Sequence, residues 1–259
     1  MQYRLGIVLS GGGSRGLAHA GVLRALAEEG IAPECIAGTS SGALIGALYA
    51  AGYGYSEMLG FFEVANPFRL SRVALRKPGW IDSVKIGGDF ATWFPENSFE
   101  ALGKRLFVAA TELASGRLEI FATGELILPL VASCSIPFVF TPVAIDGRTY
   151  VDGGVLDNFP IEPLLGLCEV ILGVYASPLS ECRVETLRST RAILQRTFEV
   201  ASYHASKRKF HEADLMLSPP ELADFATFDT RRHAEIAEVG YRATRQRMAE
   251  IVALLEEER

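Results

Sequence analysis

Gly38-Thr39-Ser40-Ser41-Gly42 stands directly after a short apolar run, Cys35-Ile36-Ala37, and directly before an alanine-rich stretch of helical character. That order of strand, tight turn and helix constrains the chain more than any other feature it carries. A turn so short forces Ser40 toward strained backbone angles, Gly38 and Gly42 remove side chains that would collide there, and the hydroxyl projects at the mouth of a sheet. With 25 glycines in 259 residues, the five residues do not stand alone as evidence, and their surroundings carry the reading.

Upstream, Arg4-Leu5-Gly6-Ile7-Val8-Leu9 reads as a buried strand, and Ser10-Gly11-Gly12-Gly13-Ser14-Arg15-Gly16 as a loop opening a helix. Three consecutive glycines let several amides face one point, a concave donor cluster for an anion at a helix N-terminus. Acyl transfer needs such donors, because attack by Ser40 places negative charge on the former carbonyl oxygen. Arg15 either adds positive charge or braces the loop by bonding nearby carbonyls.

Gly11, Gly13 and Gly16 also satisfy the spacing of a dinucleotide-binding loop, the main rival reading. That reading wants an acidic residue at the far end of the next strand, whereas Glu34 precedes Cys35-Ile36-Ala37 and the strand ends in the Ser40 turn. A phosphate-binding P-loop is excluded more plainly, since Leu17 and Ala18 stand where lysine and a hydroxyl residue are needed.

Far along the chain, Ile145 to Gly154 reads as a hairpin returning into a strand that ends at Asp152. Asp152 followed by Gly153 and Gly154 fits a carboxylate base at a strand end, with room for close approach. Taken alone, it fits a plain turn better.

Taken together these blocks resemble the patatin-like phospholipase family, in its small bacterial esterase branch. The likeness rests on the loop Gly11 to Gly16, the elbow Gly38 to Gly42, Ala132-Ser133-Cys134-Ser135-Ile136-Pro137, Phe140-Thr141-Pro142-Val143, and Asp152-Gly153-Gly154 with Asn158-Phe159-Pro160. It implies an α/β fold, a three-layer α/β/α sandwich with a mostly parallel central sheet. It further implies Ser40 as nucleophile, Asp152 as its partner in a Ser-Asp dyad, and an oxyanion hole from Gly11, Gly12, Gly13 and Ser41. Arg15, Gly16, Gly38, Gly42, Gly153 and Gly154 would support that site. The chain departs from the family at Ser10, where plant members carry aspartate, and at Cys134-Ser135, where small apolar residues are usual.

A carboxylate of ordinary pKa is a poor base for a serine hydroxyl. Burial that raises the Asp152 pKa, the dipole of the elbow helix and the oxyanion donors are therefore all expected to contribute. No metal or other cofactor is required. A Ser-Asp-His triad is the mechanistic rival, with His204, His211 and His233 available downstream. All three lie among arginines and lysines and read as structural, and His19 reads as a packing residue in the first helix.

Length and a hydrophobic content of 49% fit one unit over residues 1–259. A formal charge of −6 argues against nucleic acid as the main partner, and the family resemblance implies a lipid or small ester substrate. Oligomeric state is not legible. Cys35, Cys134, Cys168 and Cys182 show neither metal-ligand spacing nor a disulfide framework, so they read as thiols of a reducing cytoplasm. The uncharged stretches Cys35 to Ser56 and Leu126 to Ile145 are broken by glycines and prolines and read as core, not as membrane spans. The opening Met1-Gln2-Tyr3-Arg4 runs straight into a strand without an apolar signal region, which leads to the expectation of a cytoplasmic protein, peripheral at most to the inner membrane surface.

Strands are expected at Arg4–Leu9, Glu34–Ala37, Arg105–Ala110, Leu118–Ala122, Thr149–Val151, Val170–Tyr175 and Asp214–Leu217. Helices are expected at Arg15–Glu29, Gly42–Ala51, Glu125–Ser133 and in two long stretches near the C-terminus, the last with Ile236, Val239, Ala243, Ile251 and Leu255 on one side. Residues 61–93 look least regular, and a candidate lid or substrate-entry region is placed at about 56–97. There Arg69, Arg72 and Arg76 share a helical face beside Phe61, Phe62, Phe68, Leu70 and Trp80, either a lipid-facing surface or a solvated helix. The leading function is a serine acyl-ester hydrolase of phospholipase or lysophospholipase type. An acyltransferase on the same elbow, a dinucleotide-binding protein and a non-catalytic scaffold are the alternatives.

Overall fold

The structure, a computed structural model, describes residues 1–64, 74, 78–182, 185, 187–229 and 231–257. Its centre is a mixed sheet of eight strands: β1 (Tyr3–Leu9), β2 (Cys35–Thr39), β3 (Arg105–Glu112), β4 (Arg117–Phe121), β5 (Val143–Ile145), β6 (Arg148–Asp152), β7 (Cys168–Val174) and β8 (Leu215–Leu217). Neighbours follow the order β5-β6-β3-β2-β1-β7-β8, with β4 also paired to β3. The run β3-β2-β1-β7-β8 is parallel, and β4, β5 and β6 pair antiparallel. β1 and β2 are wholly or mainly buried runs, as expected for central strands covered on both faces.

Alternation along β1 divides the core. Leu5, Ile7 and Leu9 pack into the larger cluster with helices α1 (Leu17–Glu28), α2 (Ser41–Ala50), α3 (Tyr55–Val64), α4 (Ser83–Trp93) and α5 (Ile127–Ser133). Val8 points to the opposite face, against Phe159, Ile171 and Tyr175, where Tyr203 of α6 (Thr190–Lys207) and Phe210 close a smaller cluster. Helices on both faces of one sheet make the α/β/α layering implied by the resemblance.

Helix ends differ from the sequence expectation for local reasons. The stretch opening at Arg15 begins as a 3₁₀ turn, Gly13–Gly16, before α1. α5 starts at Ile127 because Asn97 Oδ1 accepts its N–H at 2.8 Å, a cap delivered from a turn thirty residues away. The expected single final helix is two, α7 (His233–Gln246) and α8 (Met248–Glu257), parted at Arg247. Ile236, Val239 and Ile251 are nonetheless all buried. The stretch 61–93 is more regular than expected, since α3 and α4 occupy its ends. Ile86, Phe90 and Trp93 recur at helical spacing, a pattern that Gly87-Gly88 obscures. Phe68, Arg69, Leu70, Arg72 and Arg76 lie outside the described residues.

Among the described residues no helix is long and apolar enough to cross a membrane.

Candidate active site

Ser40 links β2 to α2 with φ 53° and ψ −127°, a conformation that costs a non-glycine residue about 1–3 kcal/mol and must be held by its surroundings. Three contacts hold it. Ser133 Oγ accepts the Ser40 N–H at 2.8 Å, Thr39 Oγ1 donates to the Asp157 carbonyl at 2.9 Å, and the Ser40 carbonyl accepts from Leu44 as the first bond of α2. Gly42 allows α2 to begin against β1, where a Cβ would stand 2.1 Å from the Leu9 carbonyl oxygen.

β3 explains how Asp152 arrives beside this turn. Thr39 registers against Ala109 and Asp152 against Ala110, consecutive residues of one strand. β4 pairs along Val108–Glu112, overlapping both registers, so β2 and β6 must share the other edge of β3 end to end. Two residues distant in sequence thus become neighbours along a single template. The Ser40 side chain lies beside the Asp152 carboxylate, which accepts the Gly154 N–H at 2.7 Å.

Both groups are sheltered, with Ser40 6% and Asp152 2% exposed. Burial pushes the Asp152 carboxyl up to about 7, against the opposing effects of the Ser40 side chain and the Gly154 N–H. A carboxyl so placed can accept and return a proton near neutrality. Cys134 sits close to Ser40 on the wall of a shared cavity. Burial first, and the Asp152 charge second, raise its thiol pKa and keep it protonated.

The glycine loop lies against the same turn, but its amides divide their duties. Gly11 N–H donates to Asn158 Oδ1 at 3.0 Å, while Asn158 Nδ2 donates back to the Gly11 carbonyl at 3.3 Å. The Gly11 amide expected in the oxyanion hole is therefore spent on loop structure, a correction that leaves Gly12, Gly13 and the N-terminal amide of α2 at Ser41 as the candidate donors. Gly13 holds φ +60° and fits tightly against Thr227, whose carbonyl also accepts the Ser14 N–H at 2.8 Å. Gly16 gives room to the Ser41 side chain, Gly38 to the first turn of α2, and Gly153 to Ala109 of β3.

Of the two roles open to Arg15, its bonds describe the brace. Nε donates to the Gly12 carbonyl at 3.4 Å and Nη2 to Thr227 Oγ1 at 3.2 Å, with Glu199 Oε1 at 3.5 Å. His19 Nε2 donates to the Ser10 carbonyl at 2.7 Å, and burial pushes its pKa down to about 4, so it is neutral and fastened behind the loop. His204 stacks edge-on against Tyr203, His211 sits in a 3₁₀ turn, and His233 opens α7. Among the described residues, no hydrogen bond joins any of the three to Ser40 or Asp152. Ser133 and Asn158, which hold the turn and the loop in place, carry no mark of that role in the sequence. Only their positions within Ala-Ser-Cys-Ser and Asn-Phe-Pro point toward them.

Two cavities meet at Ser40. The larger, about 1240 Å³, is bounded by the glycine loop, Asp152, Asn158, Arg15 and α6. The smaller, about 260 Å³, runs between α2, α3, α4 and α5.

Residues 7–165 match the family model described as patatin-like phospholipase. Over 91% of its length the chain is 28% identical to Lysophospholipase NTE1 of Yarrowia lipolytica, covering 19% of that protein. It is 33% identical to an uncharacterized NTE family protein of Mycobacterium tuberculosis over 63% of the chain and 46% of that protein. The chain thus spans about a fifth of the first of these curated relatives and under half of the second. Among solved structures, VipD from Legionella pneumophila superposes with a TM-score of 0.57 at 16% identity, covering 100% of this chain and 67% of that one. This last likeness concerns the fold.

Proposed function

Since the chain belongs to the patatin-like phospholipase family, we propose that it is a serine acyl-ester hydrolase acting on lipid esters through a Ser40–Asp152 dyad. One observation carries this reading: Ser40, on a strained strand-to-helix turn, shares a cleft with the adjacent buried carboxyl of Asp152, whose pKa is pushed up to about 7. Ser40 Oγ attacks the ester carbonyl carbon while its proton passes to the Asp152 carboxylate. The carbonyl oxygen becomes an oxyanion facing the Gly12, Gly13 and Ser41 amides, each donor contributing about 3–4 kcal/mol. Collapse expels the alcohol, which takes the proton from Asp152. Water then gives a proton to Asp152 and attacks the acyl-enzyme, and Ser40 regains its proton as the acid departs. The dinucleotide alternative finds no support at β2, which ends at Thr39 and leads into the Ser40 turn.

The test is labelling by a fluorophosphonate probe, followed by product analysis with and without an added alcohol. Labelling of the wild type but not of Ser40→Ala, with free acid as product, is the expected result. Transfer of the acyl group to the alcohol as the main product would move the protein to the acyltransferase class, and labelling that survives Ser40→Ala would remove Ser40 from the chemistry.

The cleft mouth supplies a surface for lipid. Trp80 and Phe138 are 73% and 72% exposed, and Phe138 is held at φ 68°, a costly angle for a bulky residue. Val155 and Leu194, exposed and on the cleft wall, continue this apolar rim, and exposed Leu156 and Ile193 stand next to them in the chain. Substituting Leu156→Ser and Ile193→Ser together is expected to weaken sedimentation with phosphatidylcholine vesicles by about tenfold or more. Neither residue lines the cleft, so turnover of a soluble ester should persist. Undiminished vesicle binding would count against a membrane-facing rim.

A further inference from the structure

The two cavities are not equivalent with respect to Ser40, and that asymmetry assigns the two halves of the ester. Asp152 and Gly12 line the large cleft and are absent from the walls of the small pocket. Ser40 and Gly13 belong to both. Resting on the hydrolase reading above, we infer that the small pocket between α2 and α4 binds the acyl chain and selects its length, while the alcohol half of the ester occupies the large cleft.

The proton fixes this orientation. In the tetrahedral intermediate the carbon carries Ser40 Oγ, the oxyanion, the alcohol oxygen and the acyl chain. Breaking the bond to the alcohol requires that its oxygen receive the proton held by Asp152, within hydrogen-bonding reach. The alcohol must therefore lie on the Asp152 side, in the large cleft. With the oxyanion turned to the Gly12 and Gly13 amides, the remaining substituent is directed to the opening that Asp152 does not line.

The walls of that opening suit a hydrocarbon chain. Leu44, Phe62, Ile86 and Val131 flank it, with Glu63 and His233 also on its walls, and Phe61 and Phe90 pack together at 5.4 Å between ring centres. A volume of 260 Å³ corresponds to about nine waters at about 30 Å³ each. A methylene is of similar size, so a medium-length chain fills the pocket and a longer one overruns it. The large cleft carries Arg15, Glu199, Gln195 and Asn158 among its walls, groups that tolerate a polar alcohol.

The experiment compares kcat/KM across p-nitrophenyl esters from acetate to palmitate for the wild type, Ile86→Trp, Leu44→Phe and Leu194→Trp. Ile86 and Leu44 line only the small pocket and Leu194 only the large cleft. Ile86→Trp and Leu44→Phe are expected to shift the preferred chain shorter, lowering kcat/KM for decanoate relative to butyrate by about tenfold or more. Leu194→Trp should leave the chain-length order intact. An unchanged order in both narrowed variants, or a shift produced by Leu194→Trp instead, would overturn the assignment. Should the wild type turn over none of the esters, the hydrolase reading fails. Calorimetric binding of decanoate to Ser40→Ala then decides the pocket: weakening by Ile86→Trp and not by Leu194→Trp upholds it, and the reverse or no effect refutes it.

Discussion

Ser40→Ala is expected to lower kcat/KM for any ester substrate by about 10⁴-fold or more while the folded protein remains unchanged in spectrum and melting temperature. In the proposed mechanism, removing the hydroxyl removes the attacking atom, and what survives is substrate binding beside the Gly12 and Gly13 amides. The fold should not notice, because the turn is held through main-chain atoms: the Ser40 N–H on Ser133 and the Ser40 carbonyl under Leu44. Alanine suffers the same strain at φ 53° as serine does. Turnover within tenfold of wild type would eliminate the covalent mechanism, whatever the state of Asp152.

Asp152→Asn should reduce kcat by about 10²–10⁴-fold, the range spanned by a lost general base. The amide can still accept from Gly154, as the carboxylate does at 2.7 Å, but it cannot take up the serine proton. In the wild type, activity should climb as pH passes about 7, where the buried carboxyl ionises. The same shift predicts a stability signature of opposite value. The carboxyl titrates near 7 when folded and near 3.9 when unfolded. Its protonated form therefore favours the folded state fully below about pH 4, and this advantage is lost as pH rises through about 7. Above that pH the wild type carries a buried charge that the Asp152→Asn variant lacks, a difference of at most about 4 kcal/mol. Asp152→Asn should thus be slower yet melt higher than wild type at pH 8, with the gain in melting temperature vanishing near pH 4. A variant that melts lower at pH 8 would contradict the burial of an ionised carboxylate at this position.

How much of this was legible in the chain depends on the distance over which each feature is determined. Strand-turn-helix at Ser40 is written in contiguous residues, and so are the glycine loop and the hairpin into Asp152. The order of these blocks also carried the family likeness, and with it the layered fold. What escaped is what arrives from elsewhere in the molecule. The N–H of Ile127 is capped by Asn97, the Ser40 N–H by Ser133, and the Gly11 amide by Asn158. None of these pairs has a spacing that marks it. The Gly11 case shows the limit most clearly, because three glycines in a row announce converging amides without saying which one a distant side chain will claim. Arg15 is similar, since only its bonds to Gly12, Thr227 and Glu199 distinguish a brace from a free charge. The helix that closes residues 61–93 was, by contrast, present in the spacing of Ile86, Phe90 and Trp93 and was hidden by the adjacent glycines.

The abutment of β2 and β6 along one edge of β3 has a consequence for how the chain tolerates change. Because Ala109 and Ala110 seat the two strand ends, a single peptide link acts as the ruler for the separation of hydroxyl and carboxyl. Insertions in the connections before β3, or between β4 and β6, would lengthen the excursions without altering that interval. One residue added between Ala109 and Ala110 would move the seats apart by about 3.4 Å and turn the following side chains to the opposite face. Length variation that spares this link is therefore compatible with an intact pair, and a single insertion there is enough to dismantle it.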